Sequence, residues 1–188
     1  MSNSGISYSW WRIANWLRDR GRDRELAPGA TPDEISLTEE RLGFSIPPML
    51  TASLRCHNGS GSFACPPRFE LLSCSGIVSA WESKTGVWPR DSSSPFSPHF
   101  VPFASDGSGG GLYLITGQAS DTRIHEHSRE GEEISPTSHP MWDSLSAYLY
   151  HTAEALETGE ALDGYQRPDE DSTFLLWEDA DYDEDDEE

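Results

Sequence analysis

Apolar residues recur at helical spacing near both ends of the chain and run together or alternate in its middle. Trp10, Ile13, Ala14 and Leu17 form one stripe and predict a first helix that gives way near Gly21. Residues 1–9 before it are polar and read as a flexible N-terminus. Ile35 and Leu42, seven apart, share a face of a second helix. Thr31 can cap it, Pro32 suits its first position, and Glu34 sits where a capping-box acid reaches back. Gly43 supplies a left-handed stop. Pro47 and Pro48 bar that helix from continuing and can open another, with Met49, Leu50 and Leu54 as its apolar face and Asn58-Gly59 as its end.

The middle predicts a sheet. Phe69–Ser73 reads as a short strand and Ile77–Glu82 as a short helix ending near Trp81. Phe100–Ala104 and Gly111–Thr116 read as buried strands, Thr122–Ser128 as a more exposed one, and a last strand surrounds Ile134. A closing helix starts near Pro140, with Trp142, Leu145, Leu149, Thr152, Ala153 and Leu156 as its stripe and Gly159 as its stop. Helices at both ends around an antiparallel sheet make an α+β domain over residues 10–160. Residues 161–188 form an acidic tail, partly disordered. The body is expected to keep its cooperative unfolding when the tail is removed after Gly159.

Charge changes the functional picture. The net charge is −20, and Pro168 to Glu188 hold twelve Asp or Glu with no Lys or Arg. Removing those twelve leaves −8 on the rest of the chain. That balance argues against nucleic acid and anionic membranes as partners and favours a basic protein. Cys56, Cys65 and Cys74 make an odd count, which fits a reducing compartment. No signal-peptide pattern and no membrane span are evident, so the expected location is the cytoplasm.

Few constellations suggest chemistry. Gly107-Ser108-Gly109-Gly110-Gly111 is followed by a strand and by no Gly-Lys-Ser/Thr, so it reads as a hairpin rather than a phosphate loop. His125-Glu126-His127 has chelating spacing, with Asp121 and His139 as the only helpers, and reads as an exposed polar strand face. The cysteines lack a Cys-x-x-Cys pair, and no Gly-x-Ser-x-Gly elbow supports a nucleophile. No residue is assigned to catalysis, metal or cofactor, and the chain is read as non-enzymatic. Arg12, Arg18, Arg20, Arg22 and Arg24 are either a solvated face or an internal dock for the tail. Trp81 and Trp88 either pack in the core or anchor a partner. Phe174 to Trp177 and Tyr182, set among acids, make the tail either a solubilising appendage or a binding segment. Candidate partner contacts, read from charge and exposure, are Trp81, Trp88, Asp106, Phe174, Trp177, Asp179, Asp181 and Asp183.

Order and spacing of several residues together resemble a known signature. They are Pro28-Gly29-Ala30, Ile35, Glu39, Leu42-Gly43, Pro47, Leu54 and His57-Asn58-Gly59. Trp88, the strand Val101-Pro102-Phe103-Ala104 with Asp106-Gly107, and the closing helix follow. The pattern resembles the SUKH superfamily, the Smi/Knr-type cell-wall regulators of fungi and their bacterial relatives, over roughly residues 10 to 159. The resemblance implies the same α+β fold. It also implies a binding role: an immunity protein that neutralises a toxin, often a nuclease, or alternatively a regulatory scaffold for cell-wall assembly. The acidic charge favours immunity, because nuclease sites are basic. The chain is also compact for a fungal scaffold. The resemblance fixes no set of partner residues. Relatives often carry an acid at the end of the strand after the glycine turn, where this chain reads Leu114-Ile115-Thr116-Gly117.

Gly43 is the first testable position. A stop residue with positive φ tolerates a branched side chain poorly, so Gly43→Val should lower stability in denaturant unfolding by roughly 1–2 kcal/mol. A neutral substitution would mean that the helix boundary is misplaced.

Overall fold

Helix α1 (Asn3–Asp19) begins well before the apolar stripe that predicted it. Ile6 lies one turn ahead of Trp10 and is as fully buried, so the stripe is Ile6, Trp10, Ile13 and Leu17. That extra turn is why residues 3–9 are helix rather than a loose end. The structure is a computed structural model and describes residues 3–87, 99–116, 123–128, 133–134, 142–169 and 175–180. After a short 3-10 turn, α2 (Pro32–Leu42) starts on the expected capping box: Thr31 Oγ1 accepts from Glu34 N at 3.2 Å, and Glu34 Oε2 accepts from Thr31 N at 2.8 Å. Gly43 closes it with φ of 80°. Helix α3 (Pro48–Cys56) follows the two prolines, burying Leu50, Ala52, Ser53 and Leu54.

The sheet has six antiparallel strands in sequential order: β1 (Ala64–Cys65), β2 (Phe69–Leu71), β3 (Phe100–Ser105), β4 (Gly111–Ile115), β5 (His125–His127) and β6 (Glu133–Ile134). With α1 to α3, α4 (Cys74–Val87) and α5 (Leu145–Thr158), this is one α+β domain. The glycine-rich run is the β3–β4 hairpin, as its sequence suggests. A bulge lies between Pro102 and Ala104. β2 registers with β3 only at Ala104 and Ser105, so no partner on that flank stands opposite Pro102, which has no N–H to give.

One sheet face carries α1, α3 and α5. There Trp10, Leu50, Leu54 and Leu145 meet Leu71 and Phe103. Trp10 Nε1 donates to Ser53 Oγ at 2.9 Å, so two buried polar groups of this seam satisfy one another. The other face carries α4, whose Trp81, Lys84 and Thr85 lie against Pro102, Tyr113 and His127. Helix α4 runs to Val87, more than a turn beyond the expected stop at Trp81. Helix α5 starts later than expected. Ser144 caps it by accepting from Ala147 N, and Trp142, thought to be helical, is a buried ring edge-on to Phe69 and Tyr148 ahead of the helix.

The tail is not an appendage throughout. Leu162, Leu175 and Trp177 are buried, and β7 (Tyr165–Gln166) pairs with β8 (Glu178–Asp179). Trp177 is 7% exposed, and its Nε1 donates to Ala64 O at 2.9 Å, on edge strand β1. A cut after Gly159 therefore removes core, contrary to the expectation from charge. The apolar cluster folds back because burying an indole outweighs ordering a short acidic segment. Trp177→Ala should cost about 3 kcal/mol or more in denaturant unfolding. A loss below about 1 kcal/mol would show that the ring contributes no packing.

Candidate functional site

The motif residues converge on one joint. Asn58 N donates to Pro28 O at 2.8 Å, and Ala30 N donates to Leu54 O at 2.7 Å. The segment Pro28-Gly29-Ala30 thus lies against the end of α3, so close that a Cβ on Gly29 would collide with Arg55 O. His57 Nδ1 donates to Ala27 O at 2.6 Å, and its ring lies 4.9 Å from Trp10. The Asn58 side chain accepts from Cys74 N at 2.7 Å, at the start of α4, and donates to Glu34 Oε1 at 3.2 Å. Gly59 sits against the end of β2. Glu39 accepts from Ile46 N at 3.0 Å and fixes the turn between α2 and α3. These residues, with Ile35 and Leu42 in the core, build the fold rather than a ligand site.

Trp81 lines the cleft between α4 and the sheet together with Lys84, and the Asp106 charge acts on Lys84 from the β3–β4 hairpin. Trp81 is half-buried and meets Phe44 edge-on at 6.2 Å, so core packing claims one side of its ring. Asp106 is spent on its own hairpin: its carboxylate accepts from Ser108 N and Ser108 Oγ, each at 2.8 Å. Burial raises the Asp106 pKa, but the Ser108 and Gly110 hydrogen bonds and the charge of Arg68 outweigh it and leave the group below the usual carboxylate range. Lys84 Nζ donates to Gly109 O at 2.7 Å and lies 3.3 Å from His127 Nδ1. Burial lowers the Lys84 pKa, and the Asp106 charge partly restores it.

His125 and His127 are buried, not exposed as the alternation of their strand suggested. They flank Tyr113, with centroids 5.1 and 5.7 Å from its ring, and the longer α4 lies across Tyr113 and His127. Burial pushes the His127 pKa down, and the neighbouring Lys84 charge pushes it further. Among the described residues no three His, Cys, Asp or Glu side chains come together to hold a metal. Cys56, Cys65 and Cys74 are free thiols. Cys65 is wholly buried, which drives its pKa far up, away from a reactive thiolate.

The exposed aromatic residues lie elsewhere. On the outer side of the α1–α5 pair, Tyr8, Trp11 and Tyr150 stand in solvent around Arg12, whose Nε and Nη2 donate to Glu157 at 2.6 to 3.1 Å. That pair raises the Arg12 pKa and lowers that of Glu157, chiefly through the hydrogen bonds themselves. The sequence reading passed over these rings. The signal was present: each is a large aromatic lying off its helix's apolar stripe.

The remaining candidates divide. Trp177 belongs to the core, Asp179 is exposed on β8, and Trp88, Phe174, Asp181 and Asp183 lie outside the described residues. The basic run and the tail's indole each have partners of their own. Arg20 lies 4.0 Å from the Trp16 ring, Arg22 pairs with Glu25, and Trp177 meets β1. Among the described residues no helix is long and apolar enough to cross a membrane. Residues 29–151, well over half of the chain, match the family described as SMI1 / KNR4 (SUKH-1). No curated protein matches the chain.

His127 generates a pH prediction. Its folded-state pKa is depressed, so its contribution to stability is present above the unfolded value of about 6.5. That contribution is lost as pH falls from there through the folded value. Unfolding free energy should therefore drop across this window, and His127→Gln should flatten the drop. An unchanged slope in the variant would mean that His127 takes up its proton alike in both states.

Proposed function

The chain belongs to the SMI1 / KNR4 family (SUKH-1), and from that premise we propose that it is a non-enzymatic immunity protein that binds and neutralises a basic, nuclease-type toxin. The observation that carries this reading is charge. A body of −8 with twelve further acids in the last twenty-one residues is far more acidic than solubility requires. A nuclease gathers Lys and Arg to hold phosphate, and an acidic protein complements that surface without competing in kind. The stabilised thiols suit a reducing compartment, so the proposed place of action is the cytoplasm.

Two levels of acid serve two purposes in this reading. The field of the whole chain steers a cationic partner from a distance, an effect screened beyond about 8 Å at physiological ionic strength. Close contacts then set how long the complex lasts.

The test is to express the chain together with a toxin domain encoded beside its gene, then measure survival, complex formation and nuclease activity. Rescue with a stable complex supports immunity. Intact toxin activity in the presence of excess protein would reject it and leave the cell-wall-regulator type of scaffold. For a bound pair, raising salt from about 50 to 500 mM should slow association by tenfold or more while dissociation changes little. Removing residues 181–188 should weaken the salt dependence of association. Equal rates with and without those residues would restrict steering to the body.

A further inference from the structure

Three aromatic rings on the outer side of α1 and α5 are exposed yet held in place. Tyr8 is 57% exposed, Trp11 60% and Tyr150 43%. Tyr8 stacks on Trp11 with centroids 5.8 Å apart and planes 17° from parallel. The Arg12 guanidinium lies 5.8 Å from the Tyr8 ring and 5.1 Å from that of Tyr150, and the Glu157 carboxylate pins it. Tyr8 and Tyr150 are thus ordered by a cation between them, and Trp11 by its stack on Tyr8, rather than by burial. Ordering before binding removes much of the entropy that a contact surface must otherwise lose.

We propose that this face is where the protein takes hold of a basic protein partner, with Lys or Arg side chains of that partner laid on the Trp11–Tyr8 stack and met by Glu154. The proposal deepens the toxin-binding reading and rests on it for the partner's identity. Its chemistry is already displayed inside the molecule. The Tyr8 and Tyr150 rings accept a guanidinium from Arg12, and Trp16 accepts that of Arg20 at 4.0 Å. Trp11 offers the same kind of surface to solvent.

Charge selects the occupant. Arg12 spends its charge on Glu157, and Asp19 falls in line with Tyr8, Arg12 and Asn15 by helical spacing. With Asp19 and, on α5, Glu154 left over from that pair, two carboxylates stand against Arg18. Beyond the face stands the field of a chain of −20. A second copy would bring another −20 and be repelled, and a nucleic acid would be repelled for the same reason. A cationic protein is drawn in, and large, ordered Trp and Tyr side chains are the residue types that hold such a partner once it arrives.

The experiment has two arms and uses the full chain. In the first, a tetra-arginine peptide is titrated in while the indole N–H resonances of Trp11, Trp81 and Trp177 are followed, each assigned by its Trp→Phe variant. The Trp11 resonance should shift in a saturable way while Trp81 stays still. A shift confined to Trp177, or none at Trp11, overturns the proposal. In the second arm, the toxin domain encoded beside the gene is bound to the parent, Trp11→Ser and Tyr150→Ser. Both positions are exposed, so unfolding midpoints should match the parent, and dissociation should speed by roughly 10- to 30-fold. If the parent binds the toxin and the variants bind equally well, the face is wrong and the immunity reading stands. If no toxin binds but the peptide engages Trp11, the face stands for another basic partner and the immunity reading fails. If neither occurs, both fall.

Discussion

The Asn58 side chain joins three parts of this fold that are distant in sequence. Its amide accepts from the first N–H of α4 and donates to the capping-box acid of α2, while its backbone N–H holds Pro28. A side chain with no acceptor at this position would leave Cys74 N without its partner at a half-buried site, and an unsatisfied polar group there costs about 1–3 kcal/mol. The rest of the architecture follows from this joint. It sets the angle between α2 and α3, brings Gly29 against Arg55, and starts α4 along the sheet. Residues that look like loop punctuation are therefore the frame.

Because α4 is aimed from that joint and runs to Val87, it covers the face of β4 and β5. Two histidines and a lysine are placed in a poorly solvated seam as a result. Lys84 meets a carbonyl oxygen of the β3–β4 hairpin, and His127 keeps its neutral form more readily than a free imidazole. The seam is a consequence of sheet coverage, and its charged groups are largely answered within the protein. The outward faces of α1 and α5 differ: there ordered rings remain exposed.

The tail shows how burial and charge divide one segment. Leu175 and Trp177 are drawn to the edge strand β1, while Leu176 between them is exposed. Trp177 also gives Ala64 O a hydrogen bond at the sheet edge, where unpaired backbone groups invite other chains. Glu178 and Asp179 next to them are exposed, as expected where desolvating a carboxylate costs more than a contact returns.

The sequence by itself determined the local elements. Thr31, Pro32, Glu34 and Gly43 bound α2 because capping and left-handed φ depend on neighbours in the chain. The Leu145–Leu156 stripe likewise marked α5 through periodicity. The shared motif made the SUKH fold legible for a related reason: its spacing encodes the contacts that these residues make at the joint. The tertiary structure decided what each element faces. An alternating polar strand reads as half-exposed until a helix of unforeseen length lies across it, as α4 does over His127. An acidic tail reads as solvated until a single indole finds a carbonyl 113 residues away in sequence. The Tyr8–Trp11–Tyr150 face needed both kinds of information. Its rings stand off the helical stripes in the sequence, but only the packing of α1 on α5 brings residues so far apart in the chain around one guanidinium. Burial is set by the sum of distant contacts, and no local pattern carries that sum.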